Sequence, residues 1–265
     1  MTALMAIRLA VLGSGSGGNA TFIEAGGVRL LLDAGFSLRS LVQRLRFLAV
    51  APESLDAILI THEHGDHVSG AAATARSFGL PIYCTAATAR AASLATEDCE
   101  VRPVTAGEPF AIGELRIRPF AVPHDAVDTV GYVVESGGAR LGYATDLGHG
   151  PDGVRDGLRD CDALVLEANH DVEMLQAGPY PEIVKRRVLG RHGHLDNEAA
   201  SDLLCDVVSE RTRTVVLAHL SRTNNRPDLA LHAAERGFAK QGFAGRRTPR
   251  LHAAEQTRPS PWFEI

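Results

Sequence analysis

Lysine is almost missing from this chain: Lys185 and Lys240 are the only two, and arginine carries the remaining positive charge. With a net charge of −5 and a pI near 6.1, the broad basic footprint of a dedicated nucleic-acid binder is absent. A nuclease needs only a local positive track, and cations do gather at Arg39, Arg44 and Arg46, at Lys185, Arg186, Arg187 and Arg191, and at Arg246, Arg247 and Arg250. Because the arginine bias runs through the whole chain, most of these read as composition rather than phosphate binding. Cysteine is also scarce. Cys84, Cys99, Cys161 and Cys205 are scattered with no C-x-x-C, which excludes a cysteine–zinc site and a disulfide framework and suits a reducing cytoplasm. All four read as small core residues. No apolar run reaches transmembrane length, and Met1 to Ala6 lead into a strand-like stretch without a basic leader, so neither a membrane span nor a secretion signal is expected. No low-complexity linker, charge run or repeat divides the 265 residues, of which 45% are hydrophobic and 22% charged. One domain over 1–265 is the expectation.

What the chain does have is a concentrated histidine loop. Asp56-Ala57-Ile58-Leu59-Ile60 reads as a buried strand, and Thr61-His62-Glu63-His64-Gly65-Asp66-His67 follows it directly. A chain leaving a strand in extended form points His62 and His64 the same way, and a turn at Gly65 can bring Asp66 and His67 round from the other side. Two ligand pairs facing one gap suggest two metal ions. Imidazole suits zinc and the carboxylate also tolerates manganese, so the donor set does not choose the metal. The H-E-x-x-H pattern of a one-zinc protease is not met, since the residue four after His62 is Asp66 and a glycine interrupts the helix such a motif needs.

Around that loop, apolar periodicity alternates between strands and helices. Strands are expected near 7–12, 21–25, 28–33, 81–84, 110–112, 115–120, 131–135, 140–143, 163–167, 214–218 and 250–254. Helices are expected over 37–48, capped by Ser37, and over 69–78, 86–95, 153–158, 181–189, 197–208 and 227–241. Strand-rich then helix-containing halves without a seam predict an α/β sandwich of four layers, helix–sheet–sheet–helix, as a single domain. Asp33, His124 and Asp146 stand at strand ends, the usual place for side chains that work. The loop Gly13-Ser14-Gly15-Ser16-Gly17-Gly18-Asn19 is not a nucleotide P-loop, because no G-K-[ST] follows; it is either an anion nest of backbone amides or a plain turn.

T-H-E-H-G-D-H, with Asp33, His124, Asp146 and His219 in that order along the chain, resembles the metallo-β-lactamase superfamily. Within it, Leu12 to Asn19, Leu166-Glu167-Ala168-Asn169-His170-Asp171, Gly193-His194-Leu195-Asp196-Asn197, Ala218-His219-Leu220-Ser221, Asn224-Asn225 and Pro259-Ser260-Pro261-Trp262-Phe263 look like the WalJ (YycJ) type. The resemblance implies two divalent ions, zinc or manganese, one on His62, His64 and His124 and the other on Asp66, His67 and His219, with Asp146 bridging. It also implies a metal-held hydroxide as nucleophile, and Asp146 speaks against a β-lactamase, which typically has cysteine or histidine there. Two ions roughly 3.5–4 Å apart are what in-line phosphate hydrolysis asks for. Asp33 then orients a metal-bound histidine from behind, unless it is only a turn former. His170 is a candidate for the last ligand position or for a group supporting the ligands from behind, and as a ligand it ranks below His219, because His219 follows the clean apolar strand Val215-Val216-Leu217. By similarity to ribonuclease Z, His194 protonates the leaving oxygen and Glu167 supports it, although Leu195 stands where that group has serine or threonine. Ser16, Asn19, Asn224 and Asn225 are candidates for binding a terminal phosphate, or are loop and cap residues.

The expected activity is a dinuclear metal-dependent phosphodiesterase, a 5′→3′ exodeoxyribonuclease by resemblance, with Asp66, His194 and Glu167 in catalysis. Nucleic acid, DNA with a 5′ end, is the expected partner; no membrane and no protein partner is readable. The alternatives are an RNA-processing nuclease, a thioester or small-molecule hydrolase of the glyoxalase II kind, and a metal-dependent binding module.

Overall fold

Alternation along the strands decides how the layers stack. A computed structural model describes residues 7–241 and 248–265, so Met1 to Ala6, Arg246 and Arg247 lie outside the described residues. The first sheet holds β1 (Arg8–Gly13), β2 (Ala20–Ala25), β3 (Val28–Leu32), β4 (Ala57–Leu59), β5 (Ile82–Thr85), β6 (Val101–Val104) and, beside β1, β14 (Phe263–Glu264). The second runs in space β13 (Arg250–Ala253), β12 (Thr214–Ala218), β11 (Ala163–Glu167), β10 (Ala139–Ala144), β9 (Val130–Ser136), β8 (Leu115–Ala121), β7 (Phe110–Ile112). In β3, Val28, Leu30 and Leu32 enter the apolar layer between the sheets while Leu31 faces the helices α1 (Leu38–Phe47), α3 (Ala71–Phe78) and α4 (Ala86–Ala91). In β12, Val216 and Ala218 face the other sheet, and Val215 and Leu217 pack with the helices α5 (Asp152–Leu158), α8 (Asn197–Val207) and α9 (Pro227–Lys240). Three apolar layers separate four structural ones, as the sequence predicts. No helix among the described residues is long and apolar enough to cross a membrane.

Local chemistry accounts for the element ends. Ser37 caps α1 by accepting from the Ser40 amide, and Leu41 and Leu45 bury the face one turn apart. Gly79 at φ 66° closes α3 in the left-handed region, where glycine costs least. Several boundaries depart from expectation. The histidine loop winds into a short helix, α2 (Gly65–Val68), after extended His64, and the next helix starts only at Ala71. The helix after β5 stops at Ala91 because the chain turns left-handed at Ser93, φ 52°. Three elements carry too little apolar periodicity to be foreseen: β6, β14, and α6 (Val172–Ala177), which Asp171 caps. The remaining helix, α7 (Glu182–Val188), lies between α6 and α8 along the chain.

Strand direction positions the site. β3 and β4 are parallel, as are β10, β11 and β12, so their carboxyl ends gather at one edge of the sandwich. Asp33 follows β3, the histidine loop follows β4, Asp146 follows β10, Glu167 ends β11 and His219 follows β12. The four cysteines are buried and unpaired, in agreement with the reading of them as core. Replacing Leu30, which is fully buried between the sheets, with alanine is expected to cost about 2–5 kcal/mol. Guanidinium unfolding checks this: the midpoint should fall with the slope unchanged.

Candidate metal centre

Asp33 organises the first wall. Its carboxylate, completely buried, accepts from the Thr61 amide at 2.9 Å, from the Thr61 hydroxyl at 3.0 Å and from His67 Nδ1 at 2.7 Å. Thr61 Oγ1 also lies 3.0 Å from His62 Nδ1. The two buried imidazoles are thereby held by their Nδ1 atoms, which leaves the Nε2 atoms on the far side from Asp33 and Thr61. This wall needs close backbone approach: a Cβ on Gly35 would fall 1.7 Å from the Asp66 carbonyl oxygen, so a side chain there would push the ligand loop aside. Glu63 turns outward and accepts from the Val127 amide at 2.9 Å, tying the loop after His124 to the histidine loop.

Glu167 organises the second wall. It too is fully buried, and it accepts from the amides of Asp146, Leu147 and Leu195 and from the rings of His194 (Nδ1, 2.9 Å) and His219 (Nδ1, 2.8 Å). Leu195 therefore serves through its amide, while its side chain joins the core under α8. Asp146 reaches across the gap, with Oδ2 3.1 Å from His67 Nε2 and Oδ1 3.8 Å from His124 Nε2 and 3.4 Å from His219 Nδ1. Asp33, Asp146 and His219 all have φ near +60°, at 61°, 58° and 56°. Aspartate and histidine tolerate this region better than most residues, and the sharp turn aims each side chain into the gap rather than along its strand.

The donors form overlapping groups: His62, His64 and His124; His62, His67 and Asp146; Asp66, His67 and His219; Asp146, Glu167, His194 and His219, each with its donor atoms within 4.8 Å of one another. Burial lowers the pKa of His62 and His124, leaving them as lone-pair donors. Burial also works against charge on His67 and His219, but there the carboxylates win: Asp146 and Asp33 raise His67, and Asp146, Asp66 and Glu167 lift His219 to about 10. Glu167 is held at about 2, because its imidazole partners outweigh its burial. No lysine or arginine pairs with Asp33, Asp66, Asp146 or Glu167 among the described residues. A divalent cation supplies the charge those carboxylates call for and binds with release of the imidazole protons. His62 Nε2 is buried with no hydrogen-bond partner, and Asp146 Oδ2 receives no aligned hydrogen bond despite the nearness of His67. Both are free to act as ligands, so the residues fit divalent metal ions.

Other residues read from the sequence fall differently. His170 is buried outside the cluster, with neither ring nitrogen hydrogen-bonded, so it is His219 whose ring joins the other donors. Ser16 and Asn224 line the cavity in front of the cluster. Asn19 does not: it is completely buried, accepts from Ser14 Oγ and the Gly15 amide, and sets Nδ2 3.0 Å from His67 Nε2, so it braces the site rather than facing substrate. Asn225 is likewise consumed, by Asn197, Ala168 and the Arg226 amide. The glycine loop is not an anion nest. The amides of Ser14, Gly15, Gly17, Gly18 and Asn19 all donate to protein acceptors, and Ser14 Oγ holds the His219 amide at 2.8 Å. Thr61 and Ser14 escaped sequence reasoning as supports, although Thr61 adjoins the motif and Ser14 lies in the loop. Tyr180, which also lines the cavity, offered no local signal, and Arg187 stood in a cation cluster that was read as composition.

A helix–sheet–sheet–helix sandwich with a histidine–aspartate cluster at the strand ends defines the metallo-β-lactamase fold of metal-dependent hydrolases. The chain belongs to the beta-lactamase superfamily: residues 28–220 match the model described as Beta-lactamase superfamily domain. It is 32% identical over 261 residues to the exodeoxyribonuclease YycJ of Bacillus anthracis, covering 97% of this chain and 98% of that protein. It is 35% identical over 228 residues to the exodeoxyribonuclease WalJ of Streptococcus pneumoniae, covering 84% of this chain and 85% of that one. The crystal structure of the metallo-beta-lactamase fold protein YhfI from Bacillus subtilis superposes with a TM-score of 0.74 at 18% identity, over 98% of this chain and all of that one, which bears on the fold alone.

If Glu167 is the anchor of the second wall, Glu167→Ala strands the buried His219 ring, the partly buried His194 ring and three amides, and is expected to cost about 3–5 kcal/mol. Denaturant unfolding of chelator-treated protein measures it, and a loss under about 1 kcal/mol would show that the carboxylate is dispensable.

Proposed function

We propose that the chain, 1–265 as one catalytic domain, is a dinuclear phosphodiesterase that removes nucleotides from the 5′ end of DNA, with zinc or manganese as its ions. The observation that carries the reading is Asp146, whose two oxygens face different histidine sets, Oδ2 toward His67 and Oδ1 toward His124. In this reading His62, His64 and His124 hold one ion, Asp66, His67 and His219 the other, and Asp146 both. Bound there, the ions polarise a phosphate and lower the pKa of water at the site. The two relatives named exodeoxyribonuclease, aligned over most of their length, support nucleic acid as substrate and DNA in particular. Four buried free cysteines are in keeping with a cytoplasmic setting.

The protein's own groups then handle the protons. His194 gives Nδ1 to Glu167, so its Nε2 is left on the cavity side. Burial opposes charge on His194, but Glu167 outweighs it and raises the pKa, which favours the imidazolium that a departing alkoxide needs as donor. Asp66 lines the same cavity and stands with Oδ2 3.3 Å from His219 Nε2, where it can take a proton from the attacking water. Asp33 and Glu167 do not touch the substrate; each fixes the imidazoles it holds.

The test is to load the protein separately with manganese and zinc, count bound ions, and follow mononucleotide release from a 5′-phosphorylated DNA duplex and a matched RNA. Two ions per chain and stepwise release from the DNA 5′ end, abolished in Asp146→Ala, are expected. Cleavage of RNA alone would reassign the protein to RNA processing, and no cleavage of either with two ions bound would favour a small-molecule hydrolase. His194→Ala should lower kcat about 10²- to 10⁴-fold with metal content unchanged; an unaffected kcat would remove it from the proton path.

A further inference from the structure

The cavity in front of the cluster, about 220 Å³, has one wall that the metal chemistry leaves unused. Val184, Arg187 and Val188 line it from α7, at the three- and four-residue spacing that puts side chains on one face of a helix. Tyr180 joins them from the turn before α7, set between Pro179 and Pro181. Tyr180 is half-buried, yet its hydroxyl and its ring have no partner among the described residues. Among the described residues Arg187 is the only arginine or lysine lining the cavity, and its side chain remains 59% exposed. Among the described residues its one side-chain partner is Asp125, which pairs with Nε and leaves the other guanidinium donors available. Asp125 itself follows His124 and places Oδ1 3.2 Å from the His124 ring.

We propose that Tyr180 and Arg187 form a nucleotide subsite beside the metal centre: Tyr180 stacks on a base of the strand being cut, Arg187 donates to a backbone phosphate of that strand, and Asp125 holds Arg187 at the cavity until the phosphate takes its place. This rests on the nucleic-acid reading above. The pairing of an aromatic face with a guanidinium is the chemistry by which single strands are held without regard to sequence. It matches a processive or stepwise nuclease, which must accept each nucleotide in turn. Asp125 competes with the phosphate for the same guanidinium, so removing its charge and removing Arg187 have opposite effects on binding. A merely structural ion pair would make the two changes alike.

The experiment uses manganese-loaded protein and a fluorescent, 5′-phosphorylated DNA oligonucleotide with phosphorothioate linkages, read by anisotropy over a range of salt, with metal content measured for every variant and kcat and KM on the unmodified oligonucleotide. Tyr180→Ala should weaken binding about 5- to 100-fold and Tyr180→Phe by no more than about 2-fold, since stacking needs the ring and not the hydroxyl. Arg187→Ala should weaken binding and reduce the salt slope by about one. Both alanine variants should act through KM, with kcat within about 3-fold. Asp125→Asn should bind at least as tightly as wild type. Wild-type affinity in both alanine variants, with DNA still degraded, overturns the subsite and leaves the nuclease reading standing. Parallel weakening in Arg187→Ala and Asp125→Asn with loss of metal overturns it too, because the pair then only braces His124. A wild-type protein that binds no DNA yet hydrolyses bis(p-nitrophenyl) phosphate overturns the nuclease reading and the subsite together.

Discussion

Carboxylates buried without a lysine or arginine must be neutralised by something else, and the whole edge of this sandwich answers to that requirement. Asp33, Asp146 and Glu167 are between 0% and 2% exposed, and they are faced by imidazoles, backbone amides and the Thr61 hydroxyl. Asp33 and Glu167 fix histidine rings in one orientation, which is how an outer hydrogen bond tunes an inner ligand. The same low-dielectric surroundings that make an unpaired charge costly make these charge-assisted bonds strong. The cluster is therefore rigid before any ion arrives, and an arriving cation meets donors already aimed.

That rigidity is set in the backbone. Three of the key residues take left-handed conformations one or two residues past the carboxyl ends of strands, ends that are buried in each case. Such residues cost of order 1 kcal/mol or more each and persist only where the surroundings enforce them. Here the enforcing contacts are visible: the Asp33 amide donates to Leu59, the Asp146 amide to Glu167, and the His219 amide to Ser14. The glycine loop belongs to this framework, with its amides committed inward and its Ser14 and Asn19 bracing both halves of the cluster. Gly193 does the same near α7, where a Cβ would lie 2.1 Å from the Val188 carbonyl oxygen, so the chain carrying His194 passes hard against the helix end.

The cavity thus has two unlike walls. One is the rigid set of donors at the strand ends. The other is α7 and its preceding turn, joined to the first by the Arg187–Asp125 pair and by the His194 amide on the Val188 carbonyl. In the proposed reading, chemistry that tolerates no displacement falls to the strands, and recognition of a varying substrate to a short helix and a proline-flanked turn, where adaptation is less costly.

Much of this was written in the chain itself. Spacing alone put His62, His64, Asp66 and His67 round one gap, because strand alternation and a glycine turn act over a few residues. Ordered apolar periodicity was enough to foresee four layers, since each strand and helix declares the face it must bury. The tertiary structure decided what depends on residues far apart in sequence. His219 rather than His170 enters the cluster because β12 runs parallel beside β11 and delivers its end to the same edge. Asn19 and Asn225 turn inward because buried acceptors claim their amides, and Tyr180 and Arg187 reach the cavity only because α7 is anchored across from His124. A residue's type and near neighbours set what chemistry it can do; only packing from distant segments sets whether a partner has already taken its hydrogen bonds.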